Sequence, residues 1–380
     1  MKKPSQIVDE CFNPAVDLVL SCNADTLSSF GHSYASVFHQ YALFAERQYH
    51  ILSKSPDALR LKFYVDRKRE EKKARERQFH ASPNADPHEQ RQMRVNLDRA
   101  QKVLLQDETR YTEFVKQRTS FLSLSVEMYA RCLAASDNFD EDSPIRLCSL
   151  WLANFDNDDS DFNFHHFIDV IPSRKFVFLA HQLTARLSTP GEGSSSRNQR
   201  LLQAVIRRMG REHPFHTLFP LYCLRVDRQA SQVSRRQSQR SVTLSQTERA
   251  SAVSDIFAKL RSDSVAGERV QAVEHVCDAS LELAKHPIKH IVSAQQKKKT
   301  SSPVALPNSL LVRKIKNLKV PVITAPTPID PSTEYRDCIW IGHYEEHCTT
   351  AGGVNLPKIV RCYGSNGRAY KQLVSLDDIT

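Results

Sequence analysis

Residues 351–380 read AGGVNLPKIVRCYGSNGRAYKQLVSLDDIT. A glycine pair comes first, then two short runs rich in β-formers, 358–363 and 368–374. They are joined by Gly364-Ser365-Asn366-Gly367. Asn-Gly tolerates the positive φ of a tight turn, so the two runs read as an antiparallel hairpin. Gly352 and Gly353 carry no Cβ, and backbone N–H groups there can approach an anion such as a phosphate. Taken alone, GG before a strand is more often a plain turn. A further strand-like run, 338–344, lies upstream, and prolines stand at 303, 307, 321, 326, 328 and 331.

Before that stretch the period is helical. Between 109 and 135, apolar residues fall at Tyr111, Phe114, Val115, Leu122, Val126, Tyr129, Cys132 and Leu133, a stripe of period 3.6 interrupted by Arg118. Further helices are expected at 144–154, 173–187 and 198–209, the last with Gly210 as its C-terminal cap. Two more follow, one opened by a Ser245/Glu248 capping box and one at 267–285. Such helices, each too thin to bury its own apolar face, suggest a stacked α-solenoid, although no fixed repeat period is present. The expected fold is mainly α: a solenoid followed by an incomplete small antiparallel β-sheet.

Composition agrees. The 380 residues include only 10 glycines, with 40% apolar and 25% charged residues, as in a helical globular chain large enough for several domains. A net charge of +10 suggests an acidic neighbour without identifying one. Nine cysteines, with no C-x-x-C pair, read as reduced thiols of the cytosol or nucleus. No run approaches 18 apolar residues, so neither a membrane span nor a secretory signal is expected.

Several local features have a functional and a plainer reading. YVDRKREEKKARER, residues 64–77, could be a basic surface, but Glu70, Glu71 and Glu76 can pair at i,i+4 and favour a solvated helix face. Asp156, Asp158 and Ser160 start like a calcium loop. Asp161 then stands where glycine is needed and Phe167 where the bidentate glutamate belongs, so an interhelix loop is expected. His165 and His166 are adjacent and cannot jointly cap one metal from a helix face. Residues 228–248 are Ser/Gln/Arg-rich and read as a mobile loop. They hold Ser-Gln three times, at Ser231, Ser238 and Ser245.

Three stretches then align with one family: RLCSLWLANF (146–155), HPFHTLFPL (213–221) and AGGVNLPKIV-x-C-x-GS-x-G (351–367). They resemble the ataxia-telangiectasia mutated (ATM/Tel-type) kinases, phosphatidylinositol-3-kinase-like serine/threonine protein kinases. The resemblance extends through residues 261–284 and weakens before about residue 107. It implies the C-terminal part of a FAT solenoid (1–228), a linking loop and helices (229–300) and the start of a PI3K/PI4K-like kinase N-lobe (301–380). Ala351, Gly352, Gly353, Val354, Asn355, Leu356 and Pro357 match the glycine-rich loop over the ATP phosphates. The family uses ATP and Mg²⁺ and phosphorylates Ser/Thr-Gln sites in DNA double-strand-break signalling, in the nucleus. Ser231, Ser238 and Ser245 then become candidate autophosphorylation sites.

The chain also departs from the family. Where relatives continue QLVKGRDDLRQD, it reads QLVSLDDIT, with Ser375 in the place of the lysine that pairs the phosphates. The sequence contains no D-R-H-x-x-N catalytic loop and no D-F-G, so no catalytic or metal-binding residue is assigned, and no independent kinase activity is expected. The terminal strands, taken alone, are expected to be poorly stable. Expected partners are the remainder of the kinase, a second copy through the solenoid and a break-sensing complex, without direct DNA contact. The alternative is a stand-alone helical scaffold for protein interactions.

Overall fold

The computed structural model describes residues 3–22, 34–81, 86–155, 164–189, 194–234, 244–287, 303–351 and 357–375. They divide into two compact units, Met1–Ile171 and Pro172–Thr380.

The first unit is helical. A short α1 (Pro4–Ile7) and a π turn (Val8–Phe12) lead into α2 (Asn13–Ser21); α3 (Ala35–Ser53), α4 (Pro56–Ala81), α5 (Pro87–Ala135), α6 (Ser143–Ala153) and α7 (His165–Ile168) follow. The 49 residues of α5 make a rod of about 70 Å at 1.5 Å per residue. It opens 22 residues before the expected start at 109, because Pro87 occupies the first turn and Asp86 caps it through the His88 N–H at 3.3 Å. Its C-terminal half buries Phe121, Leu122, Val126, Tyr129 and Leu133, and α3 packs against α5 with Phe38, Tyr41, Ala42 and Ala45 buried. Tyr129 donates to the buried Glu46 carboxylate, which Arg146 also reaches at 3.2 Å. The basic run lies on α4 and is paired as the plainer reading expects. Arg67–Glu71 and Lys72–Glu76 bridge at i,i+4, and Lys68 and Arg69 reach Asp107 and Glu108 on α5. The calcium-like run 156–163 lies outside the described residues, and His165 pairs with Asp169 at 2.8 Å.

In the second unit the expected helix 173–187 opens as 3-10 turns (Ser173–Leu179) and ends as the short α8 (Ala180–Thr184). Then come α9 (Ser194–Glu212), α10 (Pro214–Ser234), α11 (Leu244–Arg261) and α12 (Gly267–Lys285). Three expectations need correcting. Gly210 lies inside α9 and caps nothing; a Cβ there would meet Leu260 Cδ1 at 2.8 Å, so it is a helix-packing position. The loop expected at 228–248 is helical to Ser234, since its Arg, Gln and Ala residues are adequate helix formers. And α11 begins at Leu244, so Ser245 is in its first turn rather than the residue before it.

The buried Glu274 of α12 ties three of these helices together. Arg225 of α10 and Arg261 of α11 both donate to its carboxylate, Arg261 Nε at 2.7 Å to Oε2. Arg225 also lies over the rings of Tyr222 and Phe257, at 4.7 and 4.8 Å. Burial pushes the Glu274 pKa up, but the hydrogen bonds from Arg261 and Arg225 outweigh it, and the net direction is below the usual carboxylate value. A Glu274→Ala variant should lose about 2 kcal/mol, less than a fully buried pair because Arg261 is half-exposed. Urea unfolding read by helix signal checks this; a loss within 0.5 kcal/mol, about the size of an ordinary surface change, would show the cluster to be ornamental.

Candidate nucleotide-binding site

Beyond α12 the chain forms β1 (Val304–Ala305), a single-turn α13 (Leu311–Lys314), β2 (Lys316–Pro321), β3 (Trp340–Thr350), β4 (Lys358–Gly364) and β5 (Ala369–Val374). All pairings are antiparallel. The order is β1-β3-β4-β5, with β2 also on β3. The three-strand expectation is therefore corrected: β1 and β2 add to β3, and α12 packs on β2 and β5. β1 is only two residues long and β2 ends on Pro321, which hid both from a pattern search.

The two hairpins have different turns. Between β4 and β5, Gly364 N–H donates to Arg368 C=O and Gly367 N–H to Gly364 C=O, each at 2.9 Å. Gly367 sits at φ +72°, where a side chain is strained, as the Asn-Gly reading requires. Between β3 and β4, Thr350 pairs with Lys358, and the Ala351 N–H donates to Pro357 C=O at 2.9 Å. That bond closes the base of the expected phosphate loop. Gly352, Gly353, Val354, Asn355 and Leu356 lie outside the described residues.

Directly paired residues point to one face of a sheet. Lys358↔Val374, Val360↔Gln372 and Cys362↔Tyr370 form one set, with Lys358, Val360, Cys362 and Gln372 buried. Tyr344 lies with them, its hydroxyl 3.2 Å from Gln372 Oε1. Ile359↔Leu373, Arg361↔Lys371 and Tyr363↔Ala369 form the other set, with Arg361, Lys371, Leu373 and Ala369 exposed. Tyr363 stacks on His343 at 4.7 Å, and Arg361 pairs with Glu345 at 3.5 Å. By period-2 alternation Ser375 follows Leu373 on the open face.

A strap of irregular chain holds β3 to the helices. Asp330 accepts the Tyr335 N–H at 2.6 Å, and Arg269 of α12 donates to Thr333 C=O at 2.8 Å. The Tyr335 hydroxyl shares a hydrogen bond of 2.8 Å with His213 Nδ1, and its ring meets Phe215 edge-on at 5.2 Å. Phe215 also meets Trp340, the first residue of β3.

Along its sequence the chain is 31% identical over 351 residues to the serine/threonine-protein kinase TEL1 of Cryptococcus neoformans, a match covering 91% of this chain and 11% of that protein. Against the serine-protein kinase ATM of Sus scrofa it is 31% identical over 287 residues, covering 73% and 9%. The chain is a homologue of the Tel1/ATM serine/threonine kinases. It spans about a tenth of the length of these curated relatives. The FAT and kinase domain of CtTel1 shares its fold, with a TM-score of 0.71 at 22% identity over 98% of this chain and 23% of that one. The complete CtTel1 dimer with C2 symmetry gives the same TM-score over 98% and 12%. No protein-family model matches.

Set against the Tel1/ATM pattern, Ala351 and Pro357 bracket the β3–β4 connection, and Ser375 directly follows β5. Ser231 belongs to the helical backbone of α10 and Ser245 to that of α11, while Ser238 lies outside the described residues. Among the described residues no group of three His, Cys, Asp or Glu is arranged to hold a metal ion, and no helix is long and apolar enough to cross a membrane. None of the nine cysteines is in a disulfide. Sequence reasoning missed Lys358, which follows Pro357 and is buried. The signal was its parity with Val360 and Cys362.

The strap gives a pH prediction. His213 is pushed down to about 4, first by burial, so it is neutral at pH 7. A histidine with a depressed folded pKa withdraws stability as pH falls, here from about 6.5 down to about 4. His213→Gln should flatten the fall in urea stability across that window. Parallel pH profiles for the two chains would show that His213 does not carry it.

Proposed function

We propose that this chain is the C-terminal FAT region and the beginning of the kinase N-lobe of a DNA-damage-response serine/threonine kinase acting in the nucleus. The observation that carries this reading is the 31% identity to TEL1 over 91% of the chain. Residues 1–228 act as FAT solenoid, 229–300 as the link and 301–380 as N-lobe. Activity is ATP-dependent phosphorylation of Ser/Thr-Gln sites with Mg²⁺. The chain supplies scaffold and loop, whereas catalytic and metal-binding groups belong to the remainder of the kinase. A second copy and a break-sensing complex are the proposed partners; the C2 symmetry of the CtTel1 dimer supports the first.

Residues 351–357 fit the phosphate role because the connection is closed at its base and glycine amides meet an anion without a Cβ in the way. Ser375 withholds the cation that would pair the phosphates. A Ser375→Lys variant should therefore bind Mg-ATP about tenfold tighter than the wild-type chain in titration calorimetry, as one charge-assisted contact is worth. Equal affinities would detach Ser375 from the phosphates.

The Ser-Gln sites are proposed as autophosphorylation sites. Each phosphate would bring about −1.5 to −2 charges beside Arg235, Arg236 and Arg240, and one at Ser245 would lie in the first turn of α11, where the helix dipole favours an anion. Mass-spectrometric mapping of the kinase from damaged cells should find Ser231, Ser238 or Ser245 modified. Full peptide coverage with none modified would end the proposal.

A further inference from the structure

The last turn of α12 has a shortage of donors. Helix C-termini leave four carbonyls without intrahelical partners. The usual donor to Leu283 C=O would be residue 287, which is proline and has no N–H. The His286 N–H takes up both Glu282 C=O at 3.0 Å and Leu283 C=O at 3.2 Å. Ala284 C=O is met from the sheet instead, by Lys358 Nζ at 2.7 Å. A cation there also answers the negative end of the helix dipole. Burial lowers the Lys358 pKa, against a smaller opposing effect of Cys348.

Lys358 follows Pro357, whose carbonyl accepts the Ala351 N–H. The cation that finishes α12 is therefore one peptide from the closed base of the phosphate loop. We propose that Lys358 is a positioning residue for nucleotide binding, coupling the C-terminal turn of α12 to the Ala351–Pro357 closure at the base of the expected phosphate loop. The phosphate role rests on the function proposed above; the coupling between helix end and loop base does not. A change at the end of α12 then moves the loop base without a ligand at the loop.

Amide hydrogen exchange on the 380-residue chain tests this. Lys358→Met keeps the stem and removes the donor. Exchange at Ala351 and Ile359 should rise about tenfold while Cys362 and Tyr363 keep their protection. Unchanged Ala351 exchange, or a uniform rise along β4, overturns the coupling. A second approach works from the helix side and serves if that variant does not fold. Glu282 Oε2 accepts the Leu311 N–H at 2.6 Å. Glu282→Ala should loosen the last turn of α12 and speed exchange at Ala351, but not when Lys358→Met is present. Glu282→Gln, which still accepts, should restore protection. An Ala351 amide indifferent to Glu282→Ala overturns the proposal. Mg-ATP titration separates the two ideas. A wild-type chain that binds no ATP overturns the phosphate reading and leaves the exchange result standing. Binding about fivefold weaker in Lys358→Met is expected from a misplaced loop, and unchanged binding overturns the positioning role.

Discussion

Glu274 is buried, and a buried carboxylate without partners costs several kcal/mol, so its neighbours are not free to move independently. Its two guanidiniums come from α10 and α11, which fixes the rotation of α12 about its own axis. That rotation sets what else α12 can reach. Arg269 is directed to the Thr333 carbonyl, Glu282 to the Leu311 N–H and Ala284 C=O to Lys358. The strap, α13 and the sheet are thus each tied to one helix by a polar contact, each depending on the orientation the carboxylate imposes.

The HPFHTLFPL run has a physical use that its resemblance to relatives does not explain. His213 and Phe215 receive Tyr335, and Phe215 and Trp340 meet at the start of β3. Thr333 and Tyr335 sit at φ +65° and +57°, a conformation costly for residues with a Cβ. Asp330 stabilises it by accepting from Ser332 and Tyr335. The strap is ordered without regular structure because its backbone polar groups find side-chain partners.

Much of this was legible in the residues. The stripe from Tyr111 to Leu133 has helical period, and Val360 and Cys362 alternate with Arg361 and Tyr363, because one face of each element is buried. The start of α5 was missed because its first half is paired by charge with α4 and lacks a deep apolar stripe. Helix α10 outran the composition break at Asp227, since Ser/Gln/Arg content describes polarity and does not forbid a helix. Neither β2 nor the Lys358 contact follows from local pattern, since both depend on what the rest of the unit brings alongside.

The proposed want of a phosphate-pairing cation at Ser375 raises the question whether Lys358, near the same expected loop, could supply it. Strand parity answers it. Lys358 pairs directly with Val374, so the two share the buried face, and Ser375 belongs to the opposite one. Bringing Lys358 to the open face would need a one-residue slip of β4, which turns every side chain over. Arg361 would then enter the face now occupied by Val360 and Cys362, and those two would be exposed. Burying that guanidinium without a partner would cost more than one phosphate contact returns. The cations already on the open face, Arg361 and Lys371, are directly paired, with Glu345 beside Arg361. A cation in the proposed role at position 375 therefore cannot come from a rearrangement of β4, and the lysine at the end of α12 stays committed to the helix.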